Sequence, residues 1–298
     1  MVVLAIVHQP IKHNAALSVL ADVLGTLDVG LQEELAHCGV LTVKLDREVE
    51  IWIGVDQRQR LHQSSTSTRV LVVLEPPDVR DFCTVGFDLV LTFRQDYLDL
   101  LPCARLFVSA TPWLLPAEWP TFHGPGKKCS VGFLRGSKTR TEGQRLRHEV
   151  WAAQGRLEEV ATVALDFEAG GNVGRDERNK QFSSLFVLVI ENSRHSNYFT
   201  EKLLDALLAR CVPIYWGCPN IGDFFDAGGM IQIDGGVDEI MSAFSKLSME
   251  DFMARAEACE RNFDLARSYA GDFGQRIQRA LEGCLPIHAP VVAADAQS

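Results

Sequence analysis

Residues 185–219 read LFVLVIENSRHSNYFTEKLLDALLARCVPIYWGCP. The apolar run at 185–190 lacks polar alternation, which suits a strand covered on both faces. It leads into Glu191, Asn192 and Ser193 and then a polar loop. Thr200 is placed to cap the helix that follows. Leu203, Leu204, Ala206, Leu207 and Leu208 give that helix an apolar face. Pro213 restricts the residue before it and ends the helical run. VPIYW then forms a second strand that stops at Gly217. This order predicts an α/β unit whose polar residues gather at a strand's carboxyl end and a helix's amino end. Ligands of open α/β sheets bind there, and unpaired N–H groups with the helix dipole favour a phosphate. Lys202 puts a full positive charge where the dipole prefers an anion, which makes sense beside a bound pyrophosphate.

On either side of this segment, short apolar runs alternate with helical patterns. Strands are predicted at 2–7, 40–45, 69–74, 89–92, 106–108, 129–134, 185–190, 212–216 and 230–233. Helices are predicted at 15–24, 144–154, 200–210, 237–246, 249–267 and 273–282. The pattern predicts α/β packing with mostly parallel strands. Residues 112–128 hold four prolines and two glycines, the composition of a linker. The expected organisation is an N-terminal unit at 1–125, a C-terminal unit at 126–284 and a loose tail at 285–298. Residues 168–179 read as a surface loop.

The chain's 298 residues carry a formal charge of −10, which disfavours a nucleic-acid binder or a general anionic-membrane binder. Its hydrophobic and charged fractions are those of a globular protein. No apolar stretch approaches the roughly 18–20 residues of a membrane span. The opening MVVLAIV lacks the marks of a leader and reads as a strand, so a cytoplasmic protein is expected, with peripheral membrane attachment left open. The eight cysteines contain no CxxC pair, which points to free thiols and away from a zinc site. Neither a metal nor a cofactor is expected.

Two further features bear on chemistry. Between 127 and 147 there are seven basic residues and one acidic residue, Glu142, against the negative balance of the whole. Such a cluster, with Lys138, Arg145 and Arg147, suits a diphosphate; a basic surface patch is the alternative. The run RVLVVLEPPD at 69–78 delivers Glu75 to a strand's carboxyl end, where a partly buried carboxylate can accept a proton from a hydroxyl. A plain turn carboxylate is the alternative, and Asp78 and Asp96 compete for the role.

The stretch VIENSRHSNYFTEKLLDALLARCVPIYWGCPNI at 189–221 resembles the signature of the α-1,3/4-fucosyltransferase family, glycosyltransferase family 10. The shared features are the strand ending in Glu-Asn-Ser, the Tyr-x-Thr-Glu-Lys-Leu run, and VP-x-YWG-x-P. Ile190 stands where the family has Phe. A weaker resemblance covers 129–152 and 70–96, and none covers 1–68. The resemblance implies a GT-B fold, two Rossmann-like domains with parallel sheets facing a central cleft. It also implies inverting transfer of fucose from GDP-fucose to a glycan acceptor, without a metal in the active site. By position, Asn192, Tyr198, Glu201 and Lys202 would contact the donor, with Glu191, Ser193 and Thr200 beside them. Arg145 would match the helix arginine that binds the diphosphate, with Arg147 the alternative, and Glu75 would match the catalytic base. Another nucleotide-sugar donor and a catalytically silent binding protein are the rival readings.

Overall fold

The structure is a computed structural model that describes residues 40–44, 48–53, 68–170, 174–271, 273–282 and 284. The strand expected at 2–7, the helix at 15–24 and the tail at 285–298 lie outside these residues.

The first sheet keeps its strands in chain order. It comprises β1 (Val40–Lys44), β2 (Glu48–Ile53), β3 (Thr68–Val72), β4 (Leu89–Thr92) and β5 (Ala104–Leu106). β1 and β2 form an antiparallel pair, and the remaining pairs are parallel. β2 has no counterpart among the expected strands, because its EVEIWI pattern alternates charge with apolar residues. The strand expected at 106–108 ends instead at Leu106. Phe107 and Val108 are buried past its end, with the Phe107 N–H donating to Thr92 O at 2.9 Å. Helix α1 (Gln95–Leu100) joins β4 to β5.

The second sheet is wholly parallel, in the order β10-β9-β8-β6-β7. Its strands are β6 (Lys128–Leu134), β7 (Ala164–Glu168), β8 (Ser184–Ile190), β9 (Val212–Trp216) and β10 (Ile231–Gln232). Every residue of β8 is buried. Phe186, Leu188 and Ile190 face the core formed with α2 (Glu142–Ala152) and α6 (Val237–Phe244). Val187 and Val189 face the opposite core, formed with α5 (Glu201–Leu208) and α8 (Ala256–Arg267). Covering on both faces explains the unbroken apolar run. From β6 the chain moves outward to β7 and then returns to β8 on the other side of β6. The reversal makes the carboxyl ends of β6 and β8 the topological switch point, where a crevice opens.

Short helices α3 (Gln154–Val160) and α4 (Arg175–Asn179) flank β7, the second lying where a loop was expected. The single helix expected at 249–267 is divided into α7 (Met249–Ala254) and α8. The division falls at Arg255, whose guanidinium bonds the carbonyls of Gly228 and Met230. Among the described residues no helix is long and apolar enough to cross a membrane, and the described cysteines are free thiols.

The two sheets are joined by more than the linker. Tyr198, from the loop after β8, packs into the core of the first sheet with its ring 4.9 Å from that of Phe93. Asn197 takes up a left-handed backbone (φ 62°) and donates to Phe93 O and Gln95 Oε1. Arg276, on the last helix α9 (Phe273–Glu282), donates to the carbonyls of Val108 and Ala110. Asp205 on α5 accepts the backbone N–H groups of Trp113 and Leu114 at 2.8 and 2.9 Å.

Asp205 is 2% exposed, and burial pushes its carboxyl up to about 7 against those two N–H donors. The folded state therefore holds this proton more tightly than the unfolded chain does. The resulting stability is present at low pH and is lost as pH rises from about 4 to 7. Asp205→Asn keeps an oxygen acceptor and removes the titration. Urea denaturation at pH 5 and pH 8 is expected to show the variant gaining stability on wild type as pH rises, by at most about 3 kcal/mol.

Candidate active site

The crevice at the switch point is a cleft of about 350 Å³. One wall comes from the first sheet, through Leu74 and Glu75 beyond β3 and the Ser109–Thr111 strip beyond β5. The other comes from the loops after β6 and β8 and the first turn of α5.

The second wall is built on Glu191, at the end of β8. Its carboxylate has no solvent exposure. It accepts the Thr200 N–H at 2.8 Å and the Thr200 hydroxyl at 2.7 Å, with Lys202 Nζ 3.8 Å away. Burial raises its pKa, and Lys202 and the Thr200 bonds oppose that. Thr200 is the N-cap of α5, as expected, and accepts the Lys202 N–H. Lys202 Nζ also donates to Thr200 Oγ1 at 3.0 Å and Glu201 Oε1 at 2.9 Å. Burial works against the ammonium, but the Glu201 and Glu191 carboxylates outweigh it and raise its pKa. For Glu201 burial works upward and Lys202 outweighs it, leaving that carboxyl below its ordinary value. The conflict between a lysine and the helix dipole is thus already eased by two carboxylates.

Backbone contact brings α2 against this strand end. The Gly143 N–H donates to Asn192 O at 3.0 Å. A Cβ on Gly143 would lie 1.9 Å from Glu191 O, so only glycine permits the approach. One turn further along α2, Arg147 is 7% exposed and donates to Ile190 O at 2.6 Å and Asn192 Oδ1 at 3.0 Å. Its Nε is buried without a partner. Burial lowers its pKa, and Glu191 and Glu201 restrain the fall.

The cleft brings together Glu75, Lys138, Arg147, Asn192, Tyr198, Thr200, Glu201 and Lys202. Arg145 is not among them. It is exposed, and its guanidinium bonds Arg140 O at 2.8 Å. At about 100° per residue, positions 145 and 147 lie on opposite sides of α2, and Arg147 is the one that lines the cleft. Glu191 supports the wall from behind, and Ser193 turns to the rim, where its hydroxyl donates to Asp78 Oδ2. Tyr198 is 4% exposed, and burial holds its hydroxyl well above the usual tyrosine range.

Asp78, from the loop after Glu75, also meets His195 Nε2 at 2.9 Å through Oδ1. Burial acts to raise its pKa, but the Ser193 and His195 bonds outweigh it and hold the carboxyl below its usual range. Arg135, Trp113, Arg178 and Asp205 line the cleft without having been singled out from the sequence. Arg135 belonged to the basic window. Arg178 stacks over the Trp113 ring at 4.3 Å, a pairing across 65 positions that no local pattern announces.

Residues 160–251 match the family model described as glycosyltransferase family 10 (fucosyltransferase), C-terminal. The chain is 30% identical over 210 residues to alpha-(1,3)-fucosyltransferase 4 of Rattus norvegicus, covering 65% of this chain and 44% of that protein. It is 35% identical over 71 residues to alpha-(1,3)-fucosyltransferase FucT of Helicobacter pylori, covering 22% and 15%. The chain thus spans less than half the length of these relatives. A solved alpha1,3-fucosyltransferase with GDP is similar at 15% identity and a TM-score of 0.46, covering 70% of this chain and 77% of that one. The matched segment runs through β8, the capped start of α5 and β9, so the similarity to glycosyltransferase family 10 falls on the strand, cap and helix that build the cleft's second wall.

Proposed function

We propose that this chain is an inverting glycosyltransferase that transfers fucose from GDP-fucose to a hydroxyl of a glycan acceptor. The observation that carries the reading is the cleft itself. It sets the buried guanidinium of Arg147 and the ammonium of Lys202 on one wall and the carboxylate of Glu75 on the other. The family match and the fucosyltransferase relatives support the choice of donor.

In this reading residues 126–284 hold the nucleotide sugar and residues 1–125 receive the acceptor. The diphosphate lies between Arg147 and Lys202, both of which line the cleft. Asn192, Tyr198 and Glu201 contact the donor's ribose or sugar, and Lys138 extends the cationic wall. Glu75 takes the acceptor's hydroxyl proton as that oxygen forms a bond to the anomeric carbon. The bond from this carbon to the diphosphate breaks on the opposite face, and GDP leaves with the electron pair. Fixed cations at the leaving group stabilise charge that grows only in the transition state, the effect expected to contribute most.

The deciding experiment incubates the protein with GDP-fucose, GDP-mannose and UDP-sugars, with and without β-galactoside or N-acetylglucosamine acceptors. Consumption of GDP-fucose that depends on acceptor supports the reading. Consumption of another donor alone reassigns the donor, and binding of GDP without any turnover favours the silent protein.

Calorimetric titration with GDP is expected to show Arg147→Ala and Lys202→Ala each weakening affinity by about tenfold or more, the loss of a charged hydrogen bond. Arg145→Ala is expected to bind as wild type does. Glu75→Gln is expected to bind GDP normally and to lose transfer by about 10²–10⁴-fold in the same assay.

A further inference from the structure

Glu75 and Asp78 belong to one tight turn. Pro76 O accepts the N–H groups of both Val79 and Arg80 at 2.9 Å, and two consecutive prolines stiffen the segment. Asp78 reaches across to the other half of the molecule. It takes the hydroxyl of Ser193, a residue 2% exposed, on one oxygen and meets His195 Nε2 on the other. Ser193 directly follows Asn192, whose side chain holds Arg147. An unbroken series of contacts therefore runs from the turn bearing Glu75 to the arginine on the opposite wall. Both oxygens of the Asp78 carboxylate are engaged across the seam, and its depressed pKa keeps it charged there.

We propose that Asp78 is a positioning residue that fixes Glu75 relative to the donor by clasping Ser193 and His195 across the cleft's rim. The proposal rests on the glycosyl-transfer reading for its kinetic consequence, but the clasp is a claim about geometry that can be measured without turnover. Glu75 sits three residues from this anchor on a stiff turn, so releasing the anchor lets the base move as a unit. Displacements of about 1 Å at a reacting group lower rates by up to about 10²-fold. Arg147 and Lys202 keep their own contacts with Ile190, Asn192, Thr200 and Glu201 when Asp78 is removed, so GDP binding is expected to stay near wild type.

The test uses the full chain with Asp78→Ala, Asp78→Asn, Ser193→Ala and the Asp78→Ala/Ser193→Ala double variant. Asp78→Ala is expected to lower kcat by about tenfold or more, with GDP affinity by calorimetry within about twofold of wild type. The double variant is expected to be no slower than Asp78→Ala, because both changes open the same contact. Amide hydrogen exchange at Val79 and Arg80 is expected to accelerate in Asp78→Ala. Should that variant fail to fold, Ser193→Ala decides by the same two readouts, since it removes one arm of the clasp and leaves Asp78 in place. A wild-type rate with unchanged exchange at Val79 and Arg80 overturns the clasp. Wild-type protein that transfers nothing overturns the transfer reading alone, and the exchange data still settle the clasp. Slower kcat accompanied by equally weakened GDP binding assigns Asp78 to folding of the cleft and overturns a positioning role.

Discussion

A carboxylate with no access to water sits at the centre of this molecule. Glu191 follows a fully buried strand of the second sheet, and an isolated charge there would be costly. Its oxygens are taken by the amide and hydroxyl of Thr200, and the ammonium of Lys202 lies behind them. This one contact determines where α5 begins and which way its first turn faces. It also keeps Lys202 and Glu201 paired beside the cleft. Gly143 completes the arrangement from the other side, letting α2 touch the same strand end and bring Arg147 in. The cationic wall is thus a consequence of satisfying one buried acid.

The two sheets share this region closely. Tyr198 belongs by chain to the second half and by packing to the first. Asn197 accepts a backbone conformation that favours short polar side chains, and in return it bonds both sides of the seam. Asp205 gathers two amides from the linker. Each of these residues lies within eight positions of Thr200, so a single short segment both builds the ligand wall and joins the halves.

That concentration explains what the sequence made legible. The strand at 185–190, the cap at Thr200, the helix behind it and the VPIYW strand carry strong local patterns, and the structure has them within two residues. The two-sheet α/β architecture followed from the same kind of apolar run. β2 escaped because alternation with Glu48 and Glu50 hides it from a search for unbroken apolar segments. α1 and α4 escaped because helices of six and five residues leave little periodicity. Arg145 drew attention by its match to the family's helix arginine and its place in a basic window, yet neither says which side of a helix faces the cleft. The neighbours of β8 supply that, since only the Arg147 side of α2 meets Ile190 and Asn192. Trp113 with Arg178 and Asp78 with Ser193 are contacts across 65 and 115 positions, which only the folded chain brings together.

The grip of Arg276 on Val108 and Ala110 has a bearing on biosynthesis. These carbonyls flank the Ser109–Thr111 strip on the first sheet's side of the cleft, while the guanidinium that holds them arrives more than 160 positions later in translation. That side of the cavity is therefore incomplete until α9 has been made. Nascent chains stopped before α9 would present that strip without its last support, so assembly of the cavity is a late event in the life of each new molecule.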